Sequence, residues 1–171
     1  MKTKNIVTVA LLAAVMCVLS PFSIPIGPIP ITFATFALYL IATVKNARIG
    51  LCAVIVYLAL GAVGVPVFSG FTGGFHKIAG ATGGFLIGYI PGAYVIGKLV
   101  DKFDSKKLIF PAAMTLGTII WYTLGAVWYS IQAHVSIGAA LAACVIPFII
   151  PDIIKIVVAS VVAPVIRRRI P

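Results

Sequence analysis

Four short clusters of basic residues divide this chain into three long apolar stretches, and this alternation constrains the fold more than any other feature. The clusters hold eleven of the 13 Lys and Arg residues. Overall, 62% of the residues are apolar and 9% are charged, against roughly 45–50% and about 25% in soluble domains. No soluble fold could bury so much apolar surface, so we expect lipid to surround the chain. The clusters are Lys2 and Lys4; Lys45 and Arg48; Lys98, Lys102, Lys106 and Lys107; and Arg167, Arg168 and Arg169.

The basic clusters also predict the topology, because such clusters beside membrane segments stay on the cytoplasmic side. Each apolar stretch must then cross the bilayer and return. Breaks at 21–30, 64–80 and around 129–136 mark the outer turns, the first two being rich in proline or glycine. The sequence thus predicts an all-α membrane protein, one integral domain over 1–171 with both ends in the cytoplasm. Its six transmembrane helices are expected at about 5–20, 31–44, 48–63, 81–100, 108–129 and 139–166.

The net charge of +10 does not indicate a nucleic-acid-binding protein, because the basic residues lie in clusters between apolar stretches. The first apolar run lacks a small-x-small cleavage site, so we expect an uncleaved helix rather than a signal peptide. The second predicted helix is short: fourteen residues span about 21 Å, against a hydrocarbon core of about 30 Å. We therefore expect the 21–30 loop to dip into the membrane beside a hollow that faces outward.

Asp152 carries the strongest indication of function. The chain has three acidic residues, and Asp101 and Asp104 lie in the basic loop expected after the fourth helix. Asp152 instead lies inside the last apolar helix, where an ionisable residue costs roughly 2.5–3.5 kcal/mol. Lys155 follows three residues later and shares its helical face. We interpret the two as a binding site that faces the bundle interior; the alternative is a purely structural ion pair.

A stripe of glycines spaced by four predicts close helix packing in the fourth helix, at Gly80, Gly84, Gly88 and Gly92. Gly83 and Gly84 stand at its outer end, where exposed backbone N–H groups could also meet a ligand. Packing alone is the simpler interpretation for Gly88 and Gly92.

The outer loop at 64–80 carries Lys77, a basic residue outside the cytoplasmic clusters. Its glycines and aromatic residues suit a flexible lid, although an ordinary loop with one solvated charge explains them equally well. His76 and His134 have no carboxylate nearby in the sequence and are expected at the surface. Ala10 and Ala14 in the first helix have the small-residue spacing of a helix-packing face.

Common catalytic motifs do not occur in the chain. It has no Gly-x-x-x-x-Gly-Lys-Ser/Thr phosphate loop, no His-Glu-x-x-His zinc motif and no Gly-x-Ser-x-Gly nucleophile motif. We therefore expect neither ATP binding through such a loop, nor metal-linked or serine hydrolysis. A membrane enzyme that uses Asp152 as an acid or base is disfavoured, because no second carboxylate or well-placed histidine accompanies it.

Four segments together resemble the BioY family, the biotin-binding S-components of energy-coupling factor (ECF) transporters. The resemblance covers nearly the whole chain and implies a six-helix S-component fold that captures biotin from outside in a prokaryotic plasma membrane. It implies a transmembrane coupling protein and two ATPase subunits as partners, with Ala10 and Ala14 facing the coupling protein. No cofactor and no metal are expected in this chain, since ATP would be used by the partners. The segments are Pro28-Ile-Pro-Ile-Thr32, Tyr57–Phe68, Gly80–Gly88 and Pro151-Asp-Ile-Ile-Lys155.

The resemblance directs attention to particular ligand contacts. Asp152 can accept hydrogen bonds from the ureido N–H groups of biotin, and either Lys155 or Lys77 can meet its carboxylate or its ureido oxygen. The sequence leaves open which lysine meets which end. The other expected ligand-binding residues are Thr82, Gly83, Gly84, Tyr89, Phe68 and Phe75.

The chain departs from the family pattern at three positions: Ala34 stands where members often carry Gln, and Ala81 and Phe85 stand where many carry Pro and Tyr. An S-component for another vitamin and a solitary facilitator remain as alternative functions.

Overall fold

The structure is a computed structural model that describes residues 3–103 and 108–169, and it is mainly helical, as predicted. The predicted cytoplasmic residues Lys2, Asp104, Lys106 and Lys107 lie outside the described residues. Within the described part, eight helices and one short hairpin follow each other along the chain. They are α1 (Thr3–Leu19), β1 (Ser23–Ile24), β2 (Ile31–Thr32), α2 (Ala34–Val44), α3 (Ala47–Ala62), α4 (Phe75–Ala79), α5 (Gly83–Lys102), α6 (Ile109–Ala133), α7 (Ile137–Cys144) and α8 (Ile146–Arg169).

The expected second helix begins three residues late, because residues 31–32 pair with 23–24 as an antiparallel hairpin. The Thr32 hydroxyl then accepts a hydrogen bond from the backbone N–H of Ala34, where α2 starts. The predicted loop at 21–30 therefore carries one strand of this hairpin and lies between α1 and α2.

The last predicted helix, 139–166, is in fact two helices that meet at Val145. Proline at position 147 falls in the first turn of α8, where its missing N–H costs least, so the break precedes Pro147 and Pro151 lies inside the helix. The predicted end of the helix at 108–129 is also wrong, because α6 continues to Ala133, four residues further. The segment predicted as a loop at 64–80 contains the five-residue helix α4.

The glycine stripe packs α5 tightly against α6. A Cβ atom on Gly88 would lie 2.8 Å from the Trp121 Cα atom, and one on Gly92 would lie 2.7 Å from the Trp121 indole ring. Any side chain at these positions would push the helices apart, so the stripe fixes where Trp121 sits.

The outer surface of the bundle suits a lipid solvent. Large apolar side chains point outward on several helices, for example Val7 on α1 and Val161 on α8. Three helices, α5, α6 and α8, are long and apolar enough to cross a membrane, whereas α1, α2 and α3 are shorter apolar helices. These features identify a membrane protein.

One polar cluster ties four helices together at the end of the bundle where α5 and α8 finish. Asp101, expected in a loop, is part of α5, and its carboxylate accepts from the Ala47 backbone N–H at the start of α3 (2.8 Å). Its other oxygen accepts from Arg167 of α8 at 2.9 Å. Arg167 also donates to the backbone carbonyls of Thr43 and Lys45 at the end of α2. We call Asp101 and Arg167 the inner clamp.

Candidate ligand-binding site

A partly open cavity lies among α2, α5, α6 and α8, and its empty space, counted with the opening, is about 640 Å³. Pockets for small molecules combine apolar walls with a few placed polar groups. The lining residues are Ile29, Pro30, Thr32, Ala34, Thr35, Tyr57, Phe68, Ser69, Lys77, Thr82, Phe85, Leu86, Tyr89, Trp121, Tyr122, Phe148, Asp152 and Lys155. Ile29 and Pro30 place the predicted 21–30 loop against this hollow.

The acidic centre of the cavity is Asp152, which is buried with 3% of its surface exposed. Its Oδ1 atom lies 2.9 Å from the Lys155 ammonium, one helical turn further along α8. The same oxygen accepts from the Thr35 hydroxyl of α2 at 3.2 Å. The predicted pairing of Asp152 and Lys155 on one helical face is therefore present, and it joins α8 to α2.

Tyr122 supplies the third partner of the carboxylate. Its hydroxyl donates to Asp152 Oδ2 at 2.7 Å from the middle of α6. Thr35 and Lys155 both donate to Oδ1, whereas Oδ2 accepts from Tyr122. A carboxylate oxygen has two lone pairs, so Oδ2 can accept one further hydrogen bond from a group in the cavity. A ligand N–H group is the kind of donor that fits.

Aromatic rings form the wall beside the polar group. Tyr89 of α5 packs edge-on against Trp121, with ring centroids 5.7 Å apart. Phe68 packs edge-on against Tyr57 at 5.6 Å. All four side chains are buried and line the cavity, so they offer an apolar surface to a ring or an alkyl chain.

The rim of the cavity carries Lys77 on α4 and Thr82 just before α5. The Thr82 hydroxyl donates to the backbone carbonyl of Lys77 at 3.1 Å. Thr82 therefore holds the backbone of α4 in place. The Lys77 side chain lines the cavity.

Three of the expected ligand residues do not line the cavity. Phe75 is 68% exposed at the start of α4. A Cβ atom on Gly83 would lie 1.8 Å from the Ile78 carbonyl oxygen, and one on Gly84 would lie 2.3 Å from the Trp128 Cβ atom. The structure therefore places both glycines in tight packing contacts. His76 and His134 are exposed, as predicted, and Ala10 and Ala14 lie on the exposed face of α1.

Several lining residues were not predicted from the sequence, above all Thr35, Tyr122 and Trp121. Thr35 resembles any other hydroxyl residue in a membrane helix, and only its partner on α8 singles it out. For the Trp121–Tyr122 pair a signal did exist. Aromatic residues with polar atoms concentrate near the membrane interfaces, whereas this pair lies in the middle of a 25-residue helix.

The fold and the site define a class: a helical membrane protein with a cavity that can hold a small molecule beside a buried ion pair. The comparisons with known proteins then give the family. The model of the BioY family matches residues 1–171, and the chain belongs to that family. It is a transport protein rather than an enzyme.

Relatives and a solved structure agree with this assignment. The chain is 38% identical over 131 residues to the biotin transporter BioY of Thermotoga maritima, covering 77% of each chain. It is 37% identical over 144 residues to biotin transporter BioY2 of Lactococcus lactis, covering 82% of this chain and 77% of the relative. The crystal structure of the S-component for biotin from an ECF-type ABC transporter superposes with a TM-score of 0.91 at 26% identity, covering 98% of this chain and 92% of that one.

Proposed function

We propose that this chain is the biotin-binding S-component of an ECF transporter, which captures biotin from outside and delivers it inward with an ATP-driven module. One observation carries the proposal: a buried carboxylate, Asp152, lines the cavity and keeps acceptor capacity on Oδ2. The ureido group of biotin has two N–H donors, and one of them can donate a second hydrogen bond to Asp152 Oδ2.

The remaining chemistry of biotin fits the remaining walls. Its fused rings and alkyl chain are apolar and would lie against Tyr89, Trp121 and Phe68. Its carboxylate needs a cation, and the cavity presents two lysines, Lys77 and Lys155. Asp152, Lys155, Lys77, Thr82, Tyr89 and Phe68 thus form the proposed binding surface.

For the topology we propose six crossings, made by α1, α2, α3, α5, α6 and α8, with both ends in the cytoplasm of a prokaryotic cell. The inner clamp supports this arrangement, because it gathers the basic ends of α2, α5 and α8 at one end of the bundle. Lys77 lies beyond the opposite end of α5, which is 20 residues, or about 30 Å, long. The cavity would then open on the outer side.

The energy source is proposed to lie in partner subunits: a transmembrane coupling protein and two ATPases. The exposed small residues Ala10 and Ala14 on α1 offer the flat face on which another helix could pack. In this proposal the chain itself needs no cofactor and no metal.

A titration of the detergent-purified chain with biotin, riboflavin and thiamine tests the substrate. We expect biotin to bind at least a hundredfold more tightly than the other two vitamins. Equal binding of all three would contradict the assignment of biotin. Uptake into vesicles that contain the chain with and without the coupling module tests the mode of transport, because strong uptake by the chain alone would indicate a facilitator.

A further inference from the structure

The seam between α3 and α5 lies outside the ligand cavity and is tightly packed at the end that holds the inner clamp. A Cβ atom on Gly97 of α5 would lie 2.6 Å from the Cα atom of Ala47, the first residue of α3. Asp101 of α5 also accepts from the Ala47 backbone N–H at 2.8 Å. At the other end, the N–H of Gly74, shortly before α5, donates to the carbonyl of Gly61 near the end of α3. The two helices therefore run antiparallel.

This arrangement brings basic side chains from both helices to one side of the seam. Successive residues of an α-helix are turned by about 100°. Because the helices are antiparallel, Arg48 and Lys98, which follow the touching residues Ala47 and Gly97, turn to the same side. Both side chains are exposed, as is Lys102 one turn further along α5. We call Arg48, Lys98 and Lys102 the basic patch.

The positive charge of the basic patch is not balanced by acidic side chains. Within the part of the chain that the structure describes, the charged groups of Arg48 and Lys98 have neither a hydrogen-bond acceptor nor an ion-pair partner. The Lys98 ammonium lies instead over the Tyr94 ring, 5.6 Å from its centroid. Asp101, three residues after Lys98, is already paired with Arg167 at 2.9 Å. The basic patch can therefore bind an anion.

An apolar strip continues from the basic patch along the seam. Residues three and seven positions after Arg48, and four and seven positions before Lys98, lie on the same side of the two helices as these basic residues. The strip extends about 10 Å, the rise of seven helical residues. All of its side chains are at least partly exposed, and an occupant must match both the charge of the patch and the apolar surface of the strip. The residues of the apolar strip are Leu51, Ile55, Pro91 and Tyr94.

We propose that the α3–α5 seam binds an anionic phospholipid of the phosphatidylglycerol type, in the leaflet that the proposed topology places on the cytoplasmic side. Arg48 and Lys98 hold its phosphate, since a guanidinium offers two parallel N–H donors and an ammonium adds a compact positive charge. One acyl chain lies on the apolar strip. The headgroup of phosphatidylcholine carries a cation that the basic patch repels, so charge selects the lipid. Basic pockets between transmembrane helices commonly bind anionic headgroups.

The test titrates the detergent-purified chain with dioleoyl-phosphatidylglycerol and dioleoyl-phosphatidylcholine, which have the same acyl chains and differ in headgroup charge. Native mass spectrometry counts the bound lipid. We expect the wild type to bind the anionic lipid at least tenfold more tightly than the choline lipid. Arg48→Gln and Lys98→Gln should each weaken binding of the anionic lipid about fivefold, the effect of one basic residue at an anionic membrane surface, and should change binding of the choline lipid less than twofold.

Two double variants separate a specific site from general surface charge. Arg48→Gln/Lys98→Gln and the control Arg168→Gln/Arg169→Gln each remove two positive charges from exposed residues at the same end of the bundle. We expect the first to weaken binding of the anionic lipid about twentyfold and the control less than threefold. If the first fails to fold, the single variants are compared with Arg168→Gln.

Three results would overturn the proposal: equal losses in the two double variants, unchanged affinity of Arg48→Gln/Lys98→Gln for the anionic lipid, or a wild type that binds both lipids equally. Co-purification with the coupling protein adds a second measurement. A double variant at the seam that keeps its lipid affinity but no longer co-purifies would identify the basic patch as a protein interface instead.

Discussion

The Tyr122 hydroxyl donates to Asp152 Oδ2 at 2.7 Å, which joins the middle of α6 to α8 across 30 residues of sequence. With the two bonds to Oδ1, this contact gives a buried carboxylate three donors inside an apolar bundle. Buried charges persist where such pairing compensates their loss of hydration. The contact therefore stabilises the protein and also limits how a ligand can approach Asp152.

Replacing Tyr122 by phenylalanine should lower stability, because Asp152 Oδ2 loses its protein donor. Hydrogen bonds to charged groups contribute about 1.5–3 kcal/mol, which corresponds to a fall of roughly 5 °C in the melting temperature of the ligand-free protein. Thermal unfolding in detergent measures this. Tyr129→Phe is the matched control, since Tyr129 lies on the same helix outside the cavity lining. Equal melting temperatures for the two variants would contradict the stabilising role.

Asp152→Asn should weaken biotin binding more than tenfold while the protein still inserts in the membrane. The amide cannot offer two acceptor oxygens to ligand and protein donors, and Lys155 loses its counter-charge. A biotin titration of the purified variant measures the change, and an unaltered size-exclusion profile shows that the fold persists. Unchanged affinity would remove Asp152 from the binding site.

The tight contact between α5 and α6 gives a prediction about packing. A Cβ atom on Gly84 would lie 2.3 Å from the Trp128 Cβ atom and 2.6 Å from the Leu124 carbonyl oxygen. Overpacking of this kind typically costs about 1–3 kcal/mol, so Gly84→Ala should lower the melting temperature by several degrees.

Gly138 offers the matched control, because a Cβ atom there meets nothing within 4 Å. Gly138→Ala should leave the melting temperature unchanged or raise it slightly, since alanine favours a helix over glycine by about 1 kcal/mol. A Gly84→Ala variant as stable as Gly138→Ala would show that α5 can shift without cost.

The fold was predictable from the sequence where a single physical rule applied. Positive clusters and apolar lengths were enough to place the helical segments to within a few residues in most cases. The sequence could not show the hairpin at 23–32, because its prolines indicate only a loop and each of its strands is two residues long. The break at Val145 was also missed, because the apolar run at 139–166 indicated one continuous helix.

The site divides in the same way. Asp152 and Lys155 were identifiable because charge is costly in an apolar helix, and their spacing put them on one face. Thr35 and Tyr122 belong to the site only through tertiary contacts, for which the sequence holds no local rule. Gly83 and Gly84 were expected near the ligand, but a helix N-terminus and a packing stripe share the same glycine pattern. The structure places both glycines in packing contacts.

The inner clamp predicts a stability effect that leaves the ligand site untouched. Arg167→Ala removes bonds to Asp101 and to the end of α2, and it should lower the melting temperature by a few degrees, at a cost of roughly 1–3 kcal/mol. Biotin affinity should change less than twofold. Arg168→Ala is the control, because its side chain is exposed beside Arg167. Identical unfolding of the two variants would show that the clamp contributes nothing.

The exposed small-residue face of α1 gives a prediction about assembly. Ala10→Trp and Ala14→Trp should leave biotin binding unchanged, because both residues point away from the cavity. The added side chain should prevent close packing of a partner helix. Co-purification with the coupling protein measures assembly, and we expect it to fall at least fivefold. Val161→Trp on α8 is the control, since it adds the same bulk at another outward-facing site. Full co-purification of the coupling protein with the Ala10→Trp and Ala14→Trp variants would exclude this face of α1 as the interface. An equal loss with Val161→Trp would show that added bulk anywhere on the surface disturbs assembly.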